Sequence, residues 1–280
     1  MSFMILPGIA TNTAGLPRVL DYPTVSGFPA DGMSDLLLFS DGFGASAANA
    51  VEGRAAGVVE FINAGNNGYS WMSGGGIQLD GTQIVSLPAL PALGEWSLVS
   101  MGAIVGSVGG TASERICGIV GFREFTGSQR GAGLYVRGAN DWNNGTNTPY
   151  YQYRGYKRGA LGTAESLTPG TGLGVIGSRR LHVLSHDGAG TITATVYSPA
   201  GVVIAQNVLS TQGGDEIFMN SSGVSLPTLT PCIGLSSSTY SRGRQHVEAF
   251  ARYEKVLSQL DVVRIGAAAS MLGQKRGRYW

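Results

Sequence analysis

From residue 58 onward, apolar residues come in short runs punctuated by glycine: 58–62, 77–87, 96–108, 115–125, 134–137, 150–157, 173–186, 192–197, 202–209, 232–235 and 246–257. Runs of this length between turn residues predict the strands of an antiparallel sandwich or barrel. In one run Ile192, Ala194 and Val196 alternate with Thr193, Thr195 and Tyr197, as a half-buried strand requires. Asp187-Gly188 just before it is a strong hairpin signal. One helix is predicted, with Ser258 as N-cap, Asp261 completing a capping box, Val262, Val263, Ile265 and a run of alanines following, and Gly273 ending it.

The first 57 residues read differently. Pro7, Pro17, Pro23 and Pro29 interrupt any periodicity, and small residues dominate 41–56, so this segment is expected to be loop-like, an extended N-terminal arm. The expected organisation is an arm at 1–57, a sandwich domain at 58–272 and a basic, aromatic tail at 273–280. The tail is open to two readings, a solvated terminus or a docking element for a partner chain.

Composition sharpens this picture. Forty-four glycines in 280 residues are more than twice the usual share of about 7%, whereas charged residues reach 13% where about 25% is ordinary. With 43% hydrophobic residues the chain folds. A net charge of +1 provides no field to gather phosphate backbones or anionic lipid, so nucleic-acid binding as the main task is not expected. Cys117 and Cys232, the only cysteines, are too few for a disulfide scaffold and are expected as buried thiols. Residues 1–10 lack a basic region and their apolar run is broken by Pro7, which does not read as a secretory signal, and no stretch reaches the roughly 18 apolar residues of a membrane helix. The expectation is synthesis in the cytoplasm without secretory export and no membrane insertion.

Two segments carry a resemblance. Arg180-Leu-His-Val-Leu-Ser-His-Asp-Gly188 followed by Thr191-Ile-Thr-Ala-Thr-Val-Tyr-Ser-Pro-Ala-Gly-Val-Val203 resembles the hairpin of laminin-G-like and concanavalin A-like domains. His246-Val-Glu-Ala-Phe-Ala-Arg-Tyr-Glu-Lys-Val-Leu-Ser-Gln-Leu-Asp261 is similar to the closing strand of the same family, which runs into a Leu-Ser turn and a short helix. The resemblance extends over roughly residues 58 to 272 and implies an all-β, antiparallel two-sheet jelly-roll sandwich with one short C-terminal helix.

Some relatives of that fold hydrolyse glycans with a Glu-x-Asp-x-x-Glu strand, and this chain has no such motif. Scattered carboxylates such as Glu60, Glu124 and Glu248 are expected as surface groups or ion-pair partners. His182 and His186, four apart on one strand face, could begin a zinc site, but a third ligand is needed and a structural role is expected. The glycine runs at 74–76 and 131–133 lack the context of a phosphate loop and mark turns. Calcium, which many laminin-G-like domains bind, could draw on Asp141, Asn143 and Asn147, although no EF-hand spacing is present, and no other cofactor is expected.

One segment stands out, 138–158. Trp142, Tyr150, Tyr151, Tyr153 and Tyr156 supply flat apolar faces, and Asn140, Asp141, Asn143, Asn144 and Asn147 supply short polar groups. Stacking rings beside amides suit a glycan or an adaptable protein contact; tyrosines also fill pleated surfaces for packing alone. Tyr69 and Trp71 form a smaller second candidate. Laminin-G-like modules are frequent on phage tails and baseplates, so the resemblance implies a non-enzymatic bacteriophage virion protein, tail-associated or capsid-decorating. It would contact host-surface glycan or protein, other virion proteins and copies of itself. The alternatives are a polysaccharide-cleaving enzyme and a stand-alone carbohydrate-binding module.

Overall fold

The computed structural model describes residues 24–39, 46–61, 70–72, 75–79, 83–107, 114–123, 133–139, 149–157, 160–167, 175–210, 227–234 and 241–275. Its strands begin with β1 (Thr24–Val25), β2 (Phe28–Pro29), β3 (Met33–Leu38), β4 (Ser46–Ala47), β5 (Gly57–Phe61), β6 (Ser70–Trp71) and β7 (Ile77–Leu79). They continue with β8 (Gln83–Ser86), β9 (Leu90–Pro91), β10 (Glu95–Ser107), β11 (Glu114–Phe122), β12 (Gly133–Ala139), β13 (Tyr150–Lys157) and β14 (Ala160–Ser166). The last are β15 (Arg179–Asp187), β16 (Thr191–Tyr197), β17 (Val203–Ser210), β18 (Thr228–Leu229), β19 (Pro231–Ile233) and β20 (Ser241–Tyr253), followed by helix α1 (Gln259–Lys275).

Two antiparallel sheets make the sandwich. The front sheet runs β17-β16-β15-β10-β20, and β3 and the β7–β6 pair lie end to end along the far side of β20. The back sheet runs β14-β13-β12-β11-β19-β8-β5-β4. At one corner β11 meets β20 in a short parallel contact, Arg115 opposite Ser241 and Ile116 opposite Arg242. The expected all-β sandwich with one C-terminal helix is what the chain forms.

Period-two alternation decides which residue goes to which layer. On β10, Trp96 and Leu98 point between the sheets, and Val99 and Met101 point to the outer face, where Val262, Ile265, Ala268 and Ala269 of α1 cover them. The central front strands are therefore buried on both faces, which explains their nearly continuous apolar text. The β10–β20 ladder slips at Met101/Gly102. Val247 and Phe250 consequently face the back sheet while Ala249, Ala251 and Tyr253 face the helix. A Cβ at Gly102 would collide with the His246 carbonyl, so the bulge requires glycine there.

The Asp187-Gly188 hairpin forms between β15 and β16, with the Asp187 carboxylate accepting the Ala189 and Thr191 amides, each at 2.8 Å, and Gly188 at φ +73°. The capping box forms too: Ser258 Oγ accepts the Asp261 amide at 3.2 Å, and Asp261 Oδ2 accepts the Ser258 amide at 3.0 Å. Gly273, expected to stop the helix, instead lies buried inside it without the left-handed backbone of a stop, and the helix continues to Lys275. A second correction concerns the segment expected to be loop-like. Met33–Leu38 is a strand of the front sheet, antiparallel to β20, with Leu36 packed under the helix and Leu37 between the sheets. Residues 1–23 and 276–280 lie outside the described residues.

Candidate functional site

The aromatic segment divides once it is placed. Asn140, Asp141, Trp142, Asn143, Asn144 and Asn147 lie outside the described residues, as does Tyr69, and for Tyr156 and Trp71 only the strand backbone is described. Tyr150 is half-buried, but Tyr151 and Tyr153 are 0% and 2% exposed, in the core between the sheets. This corrects the expected contact role of Tyr151 and Tyr153. Strand β13 lies between β12 and β14 in the back sheet, and alternation puts both rings on its core-facing side.

His182 and His186 do share a face, and it is the inner one. The His182 ring lies 5.6 Å from the Tyr151 ring, with Nε2 3.5 Å from the tyrosine hydroxyl. Burial, reinforced by the nearby Arg180 charge, lowers the His182 pKa to about 3, so the ring is neutral in the fold. Burial pushes the Cys117 thiol up to about 12, and both cysteines are buried and free. Glu248, at the β20 bulge, is fully buried with its carboxylate 2.8 Å from Arg179 Nη2, the ion-pair role expected for it.

A cleft forms at the end of the front sheet, where β10 begins and β20 ends. Its volume is about 330 Å³, at the lower edge of the range of small-molecule sites, roughly 300 to 1,000 Å³. One wall is the loop through Ala89, Leu90, Pro91 and Gly94, and Trp96 lies beneath it. Arg54, Glu95 and Glu254 line the rim, and Arg252 closes the floor.

Three side chains hold the loop by its carbonyls. Arg252 Nη1 donates to Pro88 at 2.9 Å, Trp96 Nε1 donates to Ala92 at 3.3 Å, and His186 Nδ1 donates to Gly94 at 2.8 Å. Each holder is itself fixed. The indole meets Phe122 edge-on with centroids 5.1 Å apart and stacks on the His186 ring at 5.6 Å. Arg252 donates Nε to Ser34 Oγ at 2.7 Å and pairs through Nη2 with Asp35 at 2.6 Å. Asp35 also accepts from the Asn49 amide at 2.7 Å. The guanidinium is 5% exposed and the carboxylate 0%. Burial pushes the Asp35 carboxyl above its ordinary value, with the Arg252 charge and the Asn49 amide pulling against it.

The rim is wetter. Arg54 Nη2 stands 3.7 Å from Glu254, with the two side chains 44% and 64% exposed. Glu95 is exposed and has no cationic partner among the described residues. A fixed apolar wall beside exposed donors and acceptors can hold a ligand that has both a C–H face and hydroxyls. The residues of this cleft come from positions 54, 89–96 and 252–254 and share no local motif. The one sequence signal is charge inside an apolar run, Arg252 between Ala251 and Tyr253.

No family model matches the sequence, and no curated protein does. Solved structures do match in fold. The ligand binding domain of botulinum neurotoxin serotype D, solved in complex with N-acetylneuraminic acid, aligns with TM-score 0.53 and 14% identity over 85% of this chain and 51% of that one. The receptor binding domain of botulinum neurotoxin D aligns with TM-score 0.53 and 16% identity over 87% and 53%. A structure of botulinum neurotoxin type C, whose cell entry depends on interaction with two ganglioside molecules, aligns with TM-score 0.51 and 10% identity over 85% and 51%. At these identities the likeness is one of fold alone, an all-β sandwich. This chain spans about half the length of those domains.

Proposed function

We propose that this protein is a non-enzymatic, lectin-like binding module whose cleft beside loop 88–94 holds a saccharide of a host surface, and that it serves on a bacteriophage virion as a tail-associated or capsid-decorating protein. The observation that carries the binding reading is the three-point anchoring of that loop by Arg252, Trp96 and His186. A wall fixed in advance spares the ordering cost that weakens a site built on a mobile loop. The sugar's C–H face lies on Ala89 and Pro91, and its hydroxyls meet Arg54, Glu95 and Glu254. The fold neighbours support a lectin-like frame, and their ligands belong to proteins about twice this length. The virion setting is supported by the low charge and high glycine content together with the texture of the 180–203 and 246–261 segments; it is a fold-level analogy.

One observation favours a second reading. Glu95 and Glu254 line the same cleft above an indole, and two carboxylates flanking a sugar are the apparatus of glycoside hydrolysis. Under that reading the protein releases reducing ends from host polysaccharide, and Glu254→Gln abolishes the release. Under ours the polysaccharide stays intact. Saturation-transfer NMR with a panel of oligosaccharides tests the main reading: wild-type protein shows transfer, and Glu95→Ala with Glu254→Ala removes it while the melting temperature holds.

A further inference from the structure

Resting on the saccharide reading of the cleft, we infer that the site selects uncharged sugars over those bearing a carboxylate. An acidic sugar is favoured by a cation free to pair with its carboxylate, best of all a guanidinium that forms fork-like bonds. Of the two guanidiniums in the cleft, one is buried and fully engaged and the other already faces a carboxylate. Arg252 has Nε, Nη1 and Nη2 engaged by Ser34, Pro88 and Asp35, and it is nearly inaccessible. Arg54 Nη2 lies 3.7 Å from Glu254, so an incoming carboxylate must compete with, and is repelled by, a carboxylate already beside the guanidinium. Glu95 adds a second negative charge to the rim, with no cation among the described residues in ion-pair contact with it. Counting Asp35 behind the floor, three carboxylates face two guanidiniums, and the charge balance repels an anion.

Hydroxyls meet the opposite situation. The rim carboxylates accept from them, the exposed guanidinium of Arg54 donates to them, and no charged group has to surrender its partner. Because none of these contacts neutralises ligand charge, affinity for the sugar varies little with ionic strength. The Arg54–Glu254 pair is the specificity element: the Glu254 charge offsets the attraction that Arg54 would exert on an acidic sugar, while leaving its N–H groups open to hydroxyls.

The test compares maltotriose, cellotriose and mannotriose with trigalacturonate and 3′-sialyllactose, titrated by saturation-transfer NMR and calorimetry into the full chain and into Glu254→Gln. Circular dichroism and melting temperature confirm that both are folded. The wild-type protein binds at least one neutral trisaccharide, and binds the acidic ones measurably but about tenfold more weakly. Glu254→Gln releases Arg54 and improves the acidic sugars roughly fivefold to tenfold, the change expected for an exposed charge pair of about 1 kcal/mol. Acidic sugars binding the wild type as tightly as neutral ones overturn the selectivity while leaving the saccharide reading in place. Folded protein that binds no member of the panel overturns the saccharide reading and the selectivity with it.

Discussion

Removing the Arg252 guanidinium with Arg252→Met tests both the packing of the sandwich and the construction of its cleft. The methionine keeps an apolar stem where Arg252 is 4% exposed, so little volume is lost. The cost is electrostatic. Asp35 remains at 0% exposure without the cation 2.6 Å away, and breaking a buried pair in this way typically costs about 3 to 5 kcal/mol. The bonds to Ser34 and Pro88 disappear as well. Replacing both partners, Asp35→Leu with Arg252→Met, removes the stranded charge and returns most of the loss. The pH sign follows from Asp35. Its pKa is already raised by burial and opposed by Arg252, so loss of Arg252 raises it further. A carboxyl whose folded pKa is raised favours the fold below that pKa and opposes it above, so the penalty of the single variant is largest at neutral pH and shrinks as pH falls through the carboxyl range. Urea unfolding of wild type, both single variants and the double variant at pH 7 and pH 4 measures the cycle. A single-variant loss under about 1 kcal/mol at pH 7 would mean that water screens the pair, and the account of the cleft floor would be wrong.

Three further outcomes follow from the same geometry. His182 titrates at about 3 in the fold against 6.5 unperturbed; a base whose folded pKa is depressed stabilises above its unfolded value, so stability declines as pH falls below about 6.5, by about 2 kcal/mol at pH 5, and unfolding of His182→Gln should lack this component. Tyr151→Ala costs about 3 to 5 kcal/mol because the ring fills the core, whereas half-buried Tyr150→Ala costs clearly less, and equal losses would refute the core placement. Ser258→Ala lowers stability by about 1 kcal/mol through loss of the cap, read as a shift in the urea midpoint.

Local signals in the sequence carried over to the structure. The run at 150–157 became β13 with those bounds, Asp187-Gly188 became a hairpin, and Ser258 with Asp261 became a cap. Each depends on residues within a few positions of one another. Where tertiary context decides, the reading failed. Strand β3 has no alternation to display because both its faces are covered, Leu36 by the helix and Leu37 by the back sheet. Gly273 has the identity of a helix stop but not its backbone. The tyrosines at 151 and 153 had the composition of a contact surface, and only their packing against residues distant in sequence shows that they point inward. The cleft was illegible for a related reason: Arg54, Glu95 and Arg252 meet through the β10–β20 register and loop 88–94, which no local window of sequence contains.

The proposed function depends on whether the cleft beside loop 88–94 holds a saccharide. A crystal structure of the protein soaked with the neutral trisaccharide that gives the strongest saturation transfer is the most direct measurement. The expected result is a sugar ring lying on Ala89 and Pro91 with hydroxyls bonded to Arg54, Glu95 or Glu254. A sugar bound elsewhere, with this cleft empty under the same soak, would contradict it.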